Sequence, residues 1–469
     1  MVKINLGYPK IVGTVRGRNV PEPWFWQTGY SGRWASPEEV KNRVKSAYSY
    51  PQDSDELGGF AYETVIPYLD PYDNFIVGLG YNINIDNYKA FLESGEKFIC
   101  PIHASEWNVP QWTRMQKDIP DEFKFPDPRW KGQIPDDLLE ALRRGQAFLL
   151  FYSLWEIGSV YPDGIDKFTR ENNIPVSSII VANPNFEQEK IFEAISKKPH
   201  LIYWNSFADM PWFGTVYRDR PKQLESWKNN KHLDRPKKFL CLNRRWSAER
   251  IFLTGYLRAE HSDSSIISQG TSQSQAHEKT TGQAALDRLQ REGVGNYSTI
   301  FRKIQNFYSK FLNSSVCISP DQAVVEGMDN MAGLSEDLQN SAYINIVTET
   351  CFPYTDGVFF TEKIYKPIWC LQPFILVAAP HSLEYLRSLG FQTFDRWWDE
   401  SYDTVEGFQP RLEAICKLID RLDKHPLEWF KETYKEMEEV LINNFNVYAL
   451  DSVQDNYTKV LREISKIVK

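Results

Sequence analysis

Three consecutive residues, Thr361, Glu362 and Lys363, carry side chains suited to a phosphorylated ligand. They open a helical run, and a loop separates them from the apolar stretch 343–348, which ends on Glu349. This order predicts a strand, a loop and a helix N-terminus, the place where an open α/β sheet binds its ligand. Thr361 is a candidate N-cap, and the amides behind it would attract a diphosphate.

The charged side chains of this segment have both binding and structural interpretations. Lys363 could add a positive charge to the phosphates, and Glu362 could accept hydrogen bonds from ribose hydroxyls. Glu349 could hold sugar hydroxyls or a neighbouring arginine. The alternatives are an ordinary capped helix with a solvated Glu362–Lys363 pair, and a structural ion pair at Glu349.

A second polar cluster follows the apolar run 237–243, and it consists of Asn243, Arg244, Arg245 and Arg250. Guanidinium groups bind phosphate through two parallel hydrogen bonds. The cluster therefore predicts phosphate binding, with Arg244 and Arg250 as the strongest candidates. The alternative is a set of solvated arginines paired with nearby acids such as Glu249.

Alternating apolar runs and helical patterns must position these residues. Runs at 147–154, 177–182 and 200–204 predict strands, and 163–173 and 186–198 predict helices between them. Strands that alternate with helices indicate right-handed crossovers and a parallel sheet.

The pattern recurs in the second half of the chain. Residues 215–236 are charged and read as a linker, and 262–282 read as a surface loop. A second series of strands and helices follows to about residue 405, and the segments 408–423, 426–444 and 456–468 predict helices.

The whole predicts an α/β protein with two Rossmann-like domains. An acceptor-side domain would span residues 1–220, with an irregular β-rich elaboration in 1–140. A nucleotide-binding domain would span 221–445. The final segment, 446–469, would form a helix that returns to the first domain.

The segment from about 340 to 405 resembles the donor-binding segment of the α-1,3-fucosyltransferase family. The strand ending on Glu349, the residues 361–363 and the next apolar run, 373–379, come in the order that this family shows. The continuation, 381–403, is similar to glycosyltransferases of phages, large viruses and marine bacteria.

The resemblance implies a GT-B-like fold and transfer from a nucleotide-diphosphate sugar, GDP-fucose or a relative, to a glycan-type acceptor. It further implies inversion at the anomeric carbon, no obligatory metal or other cofactor, and a donor held by residues of both polar clusters. An inverting transfer needs a general base on the acceptor side. Glu156, after the run 147–154, is the first candidate for that base, and Asp209 and Glu106 are weaker ones.

Composition argues against several other classes. The formal net charge of −8 gives no basic footprint for nucleic acid. Six scattered cysteines, with no Cys-x-x-Cys pair, fit neither zinc nor a disulfide framework. The pair Asp53 and Asp55 follows no buried strand and reads as a turn, not a metal motif. With no apolar run long enough for a membrane span and no signal-peptide pattern, we expect a cytoplasmic protein.

Two rival functions share the architecture. A nucleotide-sugar epimerase would need acid–base groups at the sugar, and the predicted strand ends offer few histidines. A non-catalytic glycan-binding scaffold would suit the 15 tryptophans.

Overall fold

The structure is a computed structural model. It describes residues 13–15, 18–20, 27–28 and 33–34 as backbone strands, and beyond them the following ranges: 88–103, 136–152, 162–205, 220–243, 247–269, 287–291, 302–304, 336–350, 352, 357–448 and 453–469. The chain divides into two compact units. The first comprises Met1–Asp209 with Gln454–Lys469, and the second comprises Met210–Val453.

The first unit contains two small antiparallel pairs and one parallel sheet. The pairs join β1 (Gly13–Val15) to β2 (Arg18–Val20), and β3 (Gln27–Thr28) to β4 (Arg33–Trp34). The parallel sheet holds β5 (Phe98–His103), β6 (Ala147–Tyr152), β7 (Ile179–Asn183) and β8 (His200–Tyr203), in the order β5-β6-β7-β8. Its helices are α1 (Tyr88–Ser94), α2 (Asp136–Arg143), α3 (Pro162–Glu171) and the short α4 (Gln188–Ile191), with 3-10 turns at Val176–Ser178 and Phe192–Ala194.

The strand order of this sheet leaves one face to be covered from elsewhere. Right-handed crossovers between strands in sequential order place every connecting helix on the same face. Accordingly, α2 and α3 bury Leu142 and Phe168 in one core with alternate strand residues such as Leu149. The other strand residues, among them Leu150 and Ile180, form a separate core on the opposite face.

The second unit contains a four-stranded parallel sheet, eight bounded helices and, within the described ranges, further helical residues at 287–291 and 302–304. The strands are β9 (Lys237–Asn243), β10 (Ser265–Gln269), β11 (Ala342–Thr348) and β12 (Phe374–Val377). The helices are α5 (Arg220–Asn230), α6 (Ala248–Glu260), α7 (Glu336–Gln339), α8 (Glu362–Trp369), α9 (Ser382–Ser388), α10 (Phe408–Asp423), α11 (Leu427–Glu436) and α12 (Glu438–Asn446), with a 3-10 turn at Ser401–Thr404.

The last helix, α13 (Val453–Val468), returns to the first unit. Val460 and Ile464 are buried against the face of the first sheet that the crossover helices leave open. The final helix therefore covers that face. Of the helices within the described ranges, none could cross a bilayer by length and apolar character.

The order of the second sheet, β10-β9-β11-β12, reverses between β9 and β11. The chain leaves β9 toward β10 on one side and leaves β11 toward β12 on the other. Such a reversal opens a crevice at the carboxyl ends of the two central strands, where α/β proteins bind ligands. Residues that follow Asn243 and Thr348 therefore meet at this point.

The predicted α/β class with two Rossmann-like sheets is confirmed. Three local predictions were wrong. The predicted linker 215–236 contains helix α5, the predicted loop 262–282 contains strand β10, and the helix predicted over 186–198 is reduced to α4 and a 3-10 turn. For β10, tertiary packing outweighed a weak local pattern. This strand contains serines, yet it pairs in parallel with the buried β9.

We expect Ile464→Ala to loosen the first unit selectively. The substitution removes a buried side chain that covers the sheet, which costs about 2–5 kcal/mol of folding free energy. Amide hydrogen exchange should then accelerate in β6 and β7 and stay unchanged in β11. Lys466→Ala, at an exposed position of the same helix, is the matched control. Equal acceleration in β6 and β11 would contradict this packing.

Candidate functional site

The carboxyl ends of β9 and β11 are joined by a side-chain hydrogen bond. The hydroxyl of Thr348 donates to Oδ1 of Asn243, and both residues are buried. Asn243 Nδ2 also lies 3.4 Å from Cys241 Sγ. Asn243, predicted to bind the donor, therefore has its side chain engaged in holding the two central strands together.

Arg250 lies at the start of α6 and reaches the end of β11. Its Nη2 donates to the backbone oxygens of Thr348, at 3.3 Å, and Glu349, at 3.1 Å. The residue is only 4% exposed, yet its buried Nε has no hydrogen-bond partner within the described part of the chain. A buried guanidinium with an unused donor is costly unless a ligand or water completes it.

Arg411 is an arginine of this unit whose guanidinium nitrogens are all hydrogen-bonded by the protein. It is completely buried near the end of β12, and its Nε and Nη2 donate to Ala378 and Ala379 at 2.7 and 3.1 Å. Its Nη1 donates to the backbone oxygens of Tyr402 and Asp403. Because this guanidinium is saturated by the protein, Arg411 is structural, and Arg250 is the contrasting case.

Glu249 is a buried carboxylate next to Arg250 that the sequence suggested only as an ion-pair partner. The hydroxyl of Ser247 donates to its Oε1, and the same oxygen lies 3.9 Å from Arg250 Nε. Burial raises the pKa of Glu249, and the charges of Arg250 and Arg288 only partly oppose that effect. The signal in the sequence was an acidic residue in the first turn of a helix that begins at a strand end.

Glu349 is fully buried at the end of β11, and both of its carboxylate oxygens contact Thr361. Oε1 accepts from the backbone N–H of Thr361 at 3.2 Å, and Oε2 accepts from its hydroxyl at 2.5 Å. Burial raises the pKa of Glu349, against the charge of Lys363 and the hydrogen bond from Thr361. The carboxylate thus ties the strand end to the start of α8.

Thr361 is the N-cap of α8, and its hydroxyl oxygen accepts from Lys363 twice. The backbone N–H of Lys363 lies 3.4 Å away and its Nζ 2.9 Å away. Nζ also lies 3.1 Å from Glu362 Oε1 and 3.5 Å from Thr350 Oγ1. The lysine side chain is 28% exposed, so its ammonium group is held at the helix N-terminus and still meets solvent.

Glu362 is the first residue of this helix and interacts with Lys363 and Lys366. Burial raises its pKa, but the charges of Lys363 and Lys366 outweigh that effect and leave its pKa below the ordinary value. Burial lowers the pKa of Lys366, against the attraction of Glu362. Glu362 is therefore an ionised acceptor beside the positive end of the helix.

The arrangement is suited to an anion. Arg250 and Lys363 come from opposite sides of the sheet reversal and are both tied to Glu349, one to its carbonyl oxygen and the other through Thr361. The positive end of α8 lies beside them. Two cations and a helix N-terminus at one strand end match the chemistry of a diphosphate.

Several predicted residues lie outside the described residues. They are the arginines Arg244 and Arg245, the candidate bases Glu156, Asp209 and Glu106, and the pair Asp53 and Asp55. Within the described ranges, no three His, Cys, Asp or Glu side chains are grouped as metal ligands would be.

No family model and no curated protein matches the chain. Among solved structures, the N-terminal domain of Candida albicans trehalose-6-phosphate phosphatase aligns with 94% of this chain and 91% of its own, at 12% identity and a TM-score of 0.38. An α,α-trehalose-6-phosphate synthase from Burkholderia multivorans aligns with 91% of this chain and 84% of its own, at 11% identity and a TM-score of 0.37. Its counterpart from Burkholderia vietnamiensis, described as UDP-forming, aligns with 90% and 85%, at 11% identity and a TM-score of 0.35.

We expect Glu249→Gln to flatten the dependence of stability on pH. The pKa of Glu249 is raised above its ordinary value of 4.5 in the folded protein, so folding favours the protonated form. Stability is then lost as the pH rises through the window above 4.5, and glutamine removes this loss. The melting temperature of the variant should fall less than that of the wild type between about pH 5 and about pH 8.

Glu225→Gln, at an exposed position of α5, is the control for this titration and should follow the wild type. If Glu249→Gln and the wild type lose the same stability over that range, the buried carboxyl does not titrate as the packing requires.

Proposed function

We propose that this protein is a glycosyltransferase that moves a sugar from a nucleotide-diphosphate donor to a glycan-type acceptor. The donor diphosphate would bind at the carboxyl ends of β9 and β11 in the second unit. The observation that carries the proposal is Arg250 at the sheet reversal, opposite the helix start that bears Lys363. Its guanidinium is buried, and its Nε has no hydrogen-bond partner among the described residues.

The chemistry of glycosyl transfer fits this pair of cations. The bond between the anomeric carbon and the diphosphate oxygen breaks, and negative charge grows on the leaving group. Arg250, Lys363 and the N-terminus of α8 would stabilise that charge as it develops. Glu362, ionised at the first turn of α8 beside Lys363, would accept hydrogen bonds from the ribose.

The finer assignment is supported by the resemblance of residues 340–405 to the α-1,3-fucosyltransferases. It favours GDP-fucose or a relative as donor, inversion at the anomeric carbon, and no obligatory metal. In such a transfer a base removes the proton of the acceptor hydroxyl while that oxygen attacks the anomeric carbon. Glu156 is the first candidate for the base and Asp209 the second, and Arg244 would join Arg250 at the diphosphate.

We expect GDP to raise the melting temperature of the wild-type protein without Mg²⁺, in a panel with UDP, CMP and ADP. A ligand at a hundred times its Kd stabilises the native state by about 2.7 kcal/mol. Arg250→Lys and Lys363→Ala should each weaken binding about tenfold, the size of one hydrogen bond to a charged group. Arg258→Ala, exposed on the same helix as Arg250, is the matched control.

Product analysis separates the rival functions. Slow release of free sugar and nucleoside diphosphate from the donor supports a transferase, while conversion of the intact donor to its epimer supports an epimerase. A panel in which no nucleotide changes the melting temperature would reject the donor site and favour a glycan-binding scaffold.

A further inference from the structure

The hydroxyl of Thr361 uses its full hydrogen-bonding capacity. It has one hydrogen and two lone pairs. The hydrogen goes to Glu349 Oε2, and the oxygen accepts from the backbone N–H and the Nζ of Lys363. The direction of each bond is fixed, because an ammonium group can only donate. The chain therefore runs from Lys363 through Thr361 to a terminal acceptor, the carboxylate of Glu349.

Glu349 also contacts the second cation of the site. Its backbone oxygen accepts from Arg250 Nη2 at 3.1 Å, and its backbone N–H donates to Val377 in the neighbouring strand at 2.9 Å. One residue thus holds both phosphate-binding candidates while it is itself locked into the sheet. Arg250 is held through the main chain, and Lys363 is held through the side chain.

We propose that Glu349 is a positioning residue that sets the separation and direction of Arg250 and Lys363 for the donor diphosphate, an inference that rests on the proposed function. Glu349 would not contact the sugar. It would act on Lys363 through the Thr361 hydroxyl and on Arg250 through its carbonyl oxygen.

Preorganisation is the physical benefit of this arrangement. A lysine that is free in solution loses rotamer entropy when it binds a phosphate. Here the ammonium group already has two oxygen partners, Thr361 Oγ1 at 2.9 Å and Glu362 Oε1 at 3.1 Å. Among the described residues, the remaining partner is the Thr350 hydroxyl, at 3.5 Å the longest of the three contacts, so this is the hydrogen that a ligand would engage. The ordering occurs on folding, so it does not weaken binding.

A purely structural role for Glu349 predicts different behaviour. A carboxylate that only anchors the start of α8 would support every ligand contact of the site equally. The side chain of a positioning residue at this place acts through Lys363, so the effect of removing its carboxylate should vanish once the ammonium group is gone. A double-mutant cycle measures this coupling directly.

The test compares GDP affinity by calorimetry in Thr361→Val, Glu349→Gln, Lys363→Ala and the two double variants that include Lys363→Ala. Thr361→Val and Glu349→Gln should each weaken GDP about tenfold in the wild-type background, the size of one hydrogen bond to a charged group. In the Lys363→Ala background each should change the affinity less than about twofold. Thr361→Ser, which keeps the hydroxyl, should restore binding.

A second measurement needs no ligand. The Lys363 ammonium resonance of the full chain, assigned by its loss in Lys363→Ala, should shift in Glu349→Gln and Thr361→Val and stay in place in Thr361→Ser. If the variants fold and the Lys363 resonance does not move, the inference is wrong. It is also wrong if Glu349→Gln and Thr361→Val weaken GDP binding equally in the wild-type and Lys363→Ala backgrounds. Wild-type protein that binds none of the nucleotides rejects the proposed function, and the inference with it, before any variant is compared.

Discussion

The buried carboxyl end of β11 imposes the main constraint on the second unit. Backbone oxygens in a strand covered on both faces must find donors inside the protein, and the strand here ends on a carboxylate that is also buried. Arg250 supplies the donor for the backbone oxygens, and Thr361 supplies two donors for the carboxylate. The starts of α6 and α8 are therefore fixed by what the strand end requires.

The same requirement is met in two ways within one sheet. At the end of β12, Arg411 and Asp403 satisfy each other and the surrounding backbone, and Asp403 also accepts from the first amides of α9. At the end of β11, Arg250 keeps a buried Nε that has no hydrogen-bond partner among the described residues. A closed network stabilises the fold, whereas the open one lies at the reversal of strand order. The contrast between the two strand ends distinguishes Arg411, which is structural, from Arg250, which we propose binds the donor.

The sequence predicted the elements whose apolar pattern is continuous. Strand β9 matches the run 237–243, and helix α10 matches the segment 408–423. Strand β10 was missed because a polar strand is recognised by its neighbours and not by its own residues. The hydrogen bond between Asn243 and Thr348, and that between Arg250 and Glu349, depend on a strand order that no local pattern contains. Thr361, Glu362 and Lys363 could be singled out because they lie at a helix start, which is a local feature.

The sequential strand order of the first sheet has a consequence for synthesis. Its open face is covered by Val460 and Ile464, which leave the ribosome only after every residue of the second unit. While the second unit emerges, Leu150 and Ile180 on the nascent chain lack the helix that buries them. The first unit is thus begun before the second and completed after it, so its apolar strand residues stay open to chaperones while the second unit is made.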